Sequence, residues 1–181
     1  NYNWNITDYR IEDRNDLIIY ELLFRDFSTT GDINGAMEKL REGYFTELGI
    51  NAIELMPVQE FDGNDSWGYN PNSYFAMDKA YGTREMYKEF IDECHRQGIA
   101  VLLDVVYNQA TGAHTMAKLY WDASSGKTSA VNPWFNVDAP HPYNVFHDWN
   151  HESSLTREHV KRNLEYLLTE YKVDGFRFDL T

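Results

Sequence analysis

An arginine and an aspartate two positions apart close an otherwise apolar run, Val173-Asp174-Gly175-Phe176-Arg177-Phe178-Asp179-Leu180. If the run is a strand, alternation places Arg177 and Asp179 on one face and Phe176 and Phe178 on the other. Unpaired charge inside an apolar strand is costly. The pair is therefore either a structural ion pair near a sheet end or part of a site that needs a carboxylate held ionised by a guanidinium. A second carboxylate, Asp104, lies in Ile99–Val106 (IAVLLDVV), and alternation puts Asp104, Val106 and Asn108 on one face. Arg177 on a neighbouring strand is its natural partner, which would orient the guanidinium toward Asp179.

Four apolar runs read as strands: Leu17–Phe24, Ile50–Leu55, Ile99–Val106 and Val173–Leu180. Glu21 interrupts the first and is expected to form a structural interior ion pair. Ile33, Met37, Leu40, Tyr44, Phe45 and Leu48 follow helical spacing and predict a helix stopped by Gly49. A second helix is predicted from an N-cap at Thr83, through Tyr87, Phe90, Ile91 and Cys94, to Gly98. A third carries Val160, Leu164, Leu167, Leu168 and Tyr171 on one face. Continuous apolar strands separated by helices make an α/β protein of parallel βαβ units. An open doubly wound sheet and a (β/α)8 barrel both fit, and four strands would be half of a barrel that takes ~250 residues. Residues 1–16 form a polar and aromatic lead-in; residues 17–181 form the α/β segment, with a long insert over 107–154.

Function in either architecture lies beyond the strand carboxyl ends. Asp104, Asn108, Gln109, Arg177 and Asp179 cluster there. So do two long loops, 58–82 with Trp67, Tyr69 and Tyr74, and the insert with Trp121, Trp134 and Trp149. Loops above ~15 residues are usually functional or disordered, and this aromatic content points to a structured substrate wall. A net charge of −13, from 29 acidic and 16 basic residues, disfavours nucleic acid and anionic membrane surfaces. No apolar run reaches the ~18 residues of a membrane helix. The first residues have no signal-peptide pattern, which leaves the compartment open. One cysteine, Cys94, allows no internal disulfide and reads as a small buried hydrophobe. His114, His141, His147 and His151 match no zinc spacing, and ordinary polar contacts are expected of them.

These motifs together resemble the alpha-amylase family of glycoside hydrolases (family 13). GINAIELMPV resembles the family's second-strand motif, and WGYNPNSYFAMDKAYGT the loop after it, in a form frequent among branching and debranching members. DVVYNQ resembles the first conserved region and GFRFD the second. The resemblance implies strands 1–4 of a (β/α)8 barrel and a retaining enzyme acting on α-glucans such as starch, glycogen or pullulan. Asp179 matches the nucleophile, Arg177 the arginine that positions it and keeps it ionised, and Asp104 the aspartate that supports both. Tyr69 matches the tyrosine that stacks on the sugar, with Trp67 beside it in the substrate wall. Asn108 matches an asparagine that ligates calcium in many members. Retaining hydrolysis needs two carboxyl groups ~5–5.5 Å apart, one ionised and one protonated.

Two departures stand out. Gln109 occupies the place of a histidine that hydrogen-bonds the bound sugar; it still offers an amide but cannot become cationic. The family's acid/base glutamate and third catalytic aspartate come from later strands. The chain is therefore expected to be an inactive N-terminal half, completed by the rest of the catalytic domain or by self-association at its open sheet edges. A non-catalytic carbohydrate-binding relative is the alternative. A phosphotransferase, suggested by Asp179-Leu180-Thr181 after an apolar strand, lacks a phosphate cradle.

Overall fold

The computed structural model describes residues 2–180. Asn1 and Thr181, the outer limits of the expected lead-in and α/β segment, lie outside the described residues. After a 3-10 turn at Arg14–Asp16, the elements in chain order are β1 (Ile19–Leu22), α1 (Phe24–Phe27), α2 (Ile33–Arg41), α3 (Tyr44–Glu47), β2 (Ala52–Leu55), α4 (Arg84–Arg96), β3 (Ala100–Val106), β4 (Gln109–Ala110), α5 (Thr115–Leu119), β5 (Trp121–Asp122), β6 (Lys127–Thr128), β7 (His147–Asp148), α6 (Ser154–Glu170) and β8 (Gly175–Asp179).

The four apolar runs pair as one parallel sheet in the order β1-β2-β3-β8. Strand order follows chain order without a reversal. That is the order of consecutive βα units in a barrel, whereas a doubly wound sheet reverses at a switch point. Leu22, Ile53, Leu55, Val101, Leu103 and Val105 are buried on one face, in a single core with Leu40, Phe45, Phe90 and Ile91. Each such side chain contributes roughly 1.5–3 kcal/mol by leaving water. The opposite face carries Glu21, Glu54, Leu102, Asp104, Arg177 and Asp179. Glu21 and Glu54 stand directly opposite one another in the β1–β2 register. The interior ion pair expected for Glu21 does not form: among the described residues it contacts no cation. It is exposed to solvent, so its charge needs no partner.

The helices depart from their predicted stripes in two places. The single helix expected over Ile33–Leu48 is two, because Gly43 takes a left-handed φ of 86° between α2 and α3. Phe45 stays buried beyond the break, while Tyr44 and Leu48 are exposed. In α6 the buried positions are Thr156, His159, Asn163 and Leu167, a largely polar face, and Leu168 is exposed. The cap of α4 is as expected: Thr83 Oγ1 accepts from the Met86 N–H at 3.3 Å. Cys94, on the same helix, is buried.

The lead-in is not free. Asp92, buried on α4, accepts hydrogen bonds from the Tyr2 hydroxyl, the Asn5 backbone and side chain, and the Ile6 N–H, at 2.9–3.0 Å. Burial pushes this carboxyl up, but these donors outweigh it and hold it below its usual range.

The two long loops pack on α6 through a buried polar network. Gln59 Nε2 donates to the Tyr74 carbonyl (2.8 Å) and to Asn163 Oδ1 (2.7 Å). The Tyr107 hydroxyl also donates to Asn163 Oδ1, at 2.6 Å. Around this network the insert folds as two short antiparallel pairs, β4–β7 and β5–β6, over Phe135 and Trp149. The histidines of the insert make ordinary contacts. His141 meets Asp148 Oδ1 at 2.9 Å, His151 meets the Tyr107 carbonyl at 2.6 Å, and the His147 ring lies edge-on to Trp121.

His114 is buried among Tyr74, Phe135 and Trp149, with its ring 6.0 Å from that of His159. Burial, and then the neighbouring His159, push its pKa down to about 4. An unfolded chain protonates a histidine near pH 6.5, so between that value and about 4 the unfolded state binds the extra proton. Stability is full above this window and should fall by ~1.4 kcal/mol per pH unit as pH drops through it. Urea unfolding at pH 7 and pH 5 checks this. His114→Asn, which keeps a cap acceptor for Met116, should flatten the dependence; an unchanged slope would remove His114 as its source.

Candidate active site

The site grows from the register of two strands. Asp104 stands opposite Arg177, and Val106 opposite Asp179. Alternation sends Asp104, Arg177 and Asp179 to the same face. Arg177 Nη1 donates to both oxygens of Asp104 (3.0 Å each) and to Asp179 Oδ1 (2.8 Å). The Tyr69 hydroxyl donates to Asp104 Oδ2 at 2.7 Å. Thus Asp104, only 2% exposed, is held from two sides, while Asp179 meets the guanidinium through one oxygen. Oδ2 of Asp179 has no hydrogen-bond donor among the described residues.

Charge in this group is unevenly buried. Burial raises the Asp104 pKa, against the lowering effect of its bonds to Tyr69 and Arg177. Arg177 is held firmly protonated, first by Asp104 and then by Asp179. The Tyr69 phenol is raised by burial and by its bond to Asp104, so it remains a donor at any ordinary pH. Glu54, one layer below, is also raised, by burial and then by the charges of Asp104 and Glu21. It is the one member of this face that the sequence reading left without a role. The available signal was an acidic residue inside the apolar run Ile50–Leu55, and the structure sets it opposite Leu102.

Tyr69 reaches Asp104 because its loop is tightly bent. Gly68 has φ of 94°, and a Cβ there would lie 2.5 Å from the Pro57 carbonyl oxygen. Phe61 and Pro71 form an antiparallel bridge across the loop. Trp67 is exposed beside this bend and makes no hydrogen bond within the group. Gln109 is buried under Tyr69 instead of lining the open face. Asn108 Nδ2 donates to Gln109 Oε1 at 2.8 Å and faces the Tyr143 carbonyl at 3.5 Å. A cleft of about 550 Å³ runs beside Asp179, lined by Tyr107, Asn108, Tyr143, His151 and Phe178. Among the described residues no three acidic, histidine or cysteine side chains gather as a metal cage, so a calcium ion at Asn108 would have to draw largely on amide and carbonyl oxygens, such as the nearby Tyr143 carbonyl.

Removing Arg177 would leave a buried carboxylate with one neutral donor. Arg177→Ala should cost about 2–3 kcal/mol, measured by urea unfolding. Adding Asp104→Asn should recover part of that loss, because the uncompensated charge goes with it. Strict additivity of the two changes would mean that the pair does not interact.

A family model described as alpha amylase, catalytic domain, matches residues 18–152. The malto-oligosyltrehalose trehalohydrolase of Saccharolobus solfataricus is 34% identical over 168 residues, which cover 92% of this chain and 28% of that protein. The pullulanase of Bacillus subtilis is 32% identical over 203 residues, covering 91% of this chain and 27% of that one. The crystal structure of the Group B Streptococcus pullulanase SAP superposes with a TM-score of 0.75 at 26% identity, across 97% of this chain and 27% of that chain. The chain therefore spans less than a third of the length of these relatives. It belongs to the alpha-amylase family of glycoside hydrolases, and its parallel β1-β2-β3-β8 sheet is part of that family's (β/α)8 barrel.

Proposed function

We propose that this chain supplies the nucleophile half of a retaining hydrolase of α-glucosidic bonds. Asp179 attacks the anomeric carbon through Oδ2 and forms a glycosyl ester as the glycosidic C–O bond breaks. The leaving oxygen takes a proton from an acid supplied outside the described residues, and water, deprotonated by the same group, then cleaves the ester. Arg177 holds Oδ1 of Asp179, so the free oxygen faces the substrate. Asp104 fixes the guanidinium. Tyr69 offers its ring to the apolar face of the sugar and to developing positive charge at the anomeric carbon.

The observation that carries this reading is the shared Arg177 Nη1, bonded at once to a buried and a half-buried carboxylate under Tyr69. Hydrolysis rather than transfer is favoured by the names of the similar proteins, a trehalohydrolase and a pullulanase. Calcium has no step in this chemistry.

In the full-length protein, Asp179→Asn should lower turnover of malto-oligosaccharide or pullulan by at least ~10³-fold, the scale of losing a covalent nucleophile. Mass spectrometry of an acid-quenched reaction should place the glycosyl adduct at Asp179, and an adduct elsewhere would sink the assignment. The 181-residue chain alone should hydrolyse none of these glucans. Among the described residues, the carboxylate nearest to Asp179 through Arg177 is Asp104, which is fully engaged and cannot serve as the acid.

A further inference from the structure

Gln109 stands where the family resemblance places a sugar-binding histidine. Here its side chain is turned to other work. Gln109 is 1% exposed. Its Nε2 donates to the backbone carbonyl of Tyr69 at 2.9 Å, and its Oε1 accepts from Asn108 Nδ2 at 2.8 Å. Its own carbonyl accepts from the Tyr74 hydroxyl at 2.8 Å, and that hydroxyl accepts from Trp149 Nε1 at 3.0 Å. The residue is therefore anchored in the core on one side and grips the substrate loop on the other.

Tyr69 is thereby held at both ends. Its phenol is bonded to Asp104 and its carbonyl to Gln109. The flanking residues have restraints of their own: Gly68 N–H donates to Ser66 Oγ at 3.0 Å, and Thr111 N–H donates to the Pro71 carbonyl at 3.0 Å. Among the described residues, Gln109 is the donor to the Tyr69 carbonyl itself. Two fixed points at opposite ends of one residue determine where its ring lies beside Asp104, the carboxylate that also holds Arg177.

We propose that Gln109 is a positioning residue, acting on the sugar only through Tyr69 and not by contact. The inference rests on the retaining-hydrolase reading above. A primary amide suits this task. It donates to a carbonyl at every pH, whereas an imidazole at the same place would share its donors between loop and sugar and would titrate near neutrality.

A double-mutant cycle in the full-length protein tests it, with Gln109→Met, Tyr69→Ala and the pair assayed on a malto-oligosaccharide. Gln109→Met keeps the volume and loses the donor. It should lower kcat/KM on the order of tenfold, as expected for a misplaced contact group, and should cost nothing further once Tyr69 is alanine. Losses that multiply in the double variant would mean an independent contact with the sugar and would overturn the proposal. Amide exchange over residues 66–72 supplies a readout without turnover. It should quicken several-fold in Gln109→Met, or in Gln109→Ala where the first variant does not fold, and unchanged exchange would equally overturn it. If the wild-type protein turns over no α-glucan while exchange responds, the hydrolase reading fails and the positioning role stands. If turnover is present and the losses multiply, the reverse holds.

Discussion

The ion pair between Asp104 and Arg177 constrains everything above the sheet. A carboxylate that is 2% exposed has lost most of its hydration, and desolvation of an ion costs several kcal/mol unless a partner is in place. Only one alignment of β3 and β8 supplies that partner. A slip of one residue would turn Arg177 toward the core shared with Leu103 and Val105 and leave Asp104 unpaired. Apolar burial alone would not enforce this, because Leu102 and Val106 make the open face of β3 largely apolar as well. Electrostatics therefore sets the register, and the register places Asp179 one layer above the pair, at the carboxyl end of its strand.

The same logic extends into the loops. Long segments over strand ends need a reason to hold one shape, and here the reason is a satisfied polar network inside an aromatic cluster. Gln59 and Asn163 both donate to the Tyr74 carbonyl, and Gln59 and Tyr107 both donate to Asn163 Oδ1. The Tyr74 hydroxyl then joins Gln109 to Trp149. Such buried groups are costly when unpaired and specify one arrangement when paired. This explains why α6 turns Asn163 inward, while His159 beside it stacks on the Trp149 ring at 5.1 Å. Its job is to receive polar groups from both loops, so its packing face is not the leucine stripe.

What could be read from the residues follows from range. The strands were legible because each is a short apolar run, and the cap at Thr83 because it is a local hydrogen bond. Arg177, Asp104, Asp179 and Tyr69 were legible because their types are unusual where they stand, and the structure brings all four together. The break at Gly43 hid behind an unbroken helical stripe: Phe45 keeps its buried place although the backbone reverses its twist before it. The clasp of the lead-in on Asp92 joins positions 86–90 residues apart. No local pattern announces such a contact. The leucine stripe of α6 misled for the same reason, since its partners lie in loops distant in sequence.

The two carboxylates on Arg177 are chemically similar and physically unlike, and this difference is what the proposed reaction would use. Asp104 spends both oxygens on Arg177 and one of them also on Tyr69, in a nearly dry setting. Any reaction at Asp104 would break the bonds that hold the guanidinium. Asp179 spends one oxygen, and its side chain is 18% exposed beside an open cleft. A single cation thus divides the labour: the deeper carboxylate fixes the arginine, and the arginine fixes the shallower carboxylate by one oxygen, with the other left to react. Exchanging the two residues' depths would preserve every charge and destroy that asymmetry, so it is burial, more than charge, that distinguishes the supporting aspartate from the reactive one.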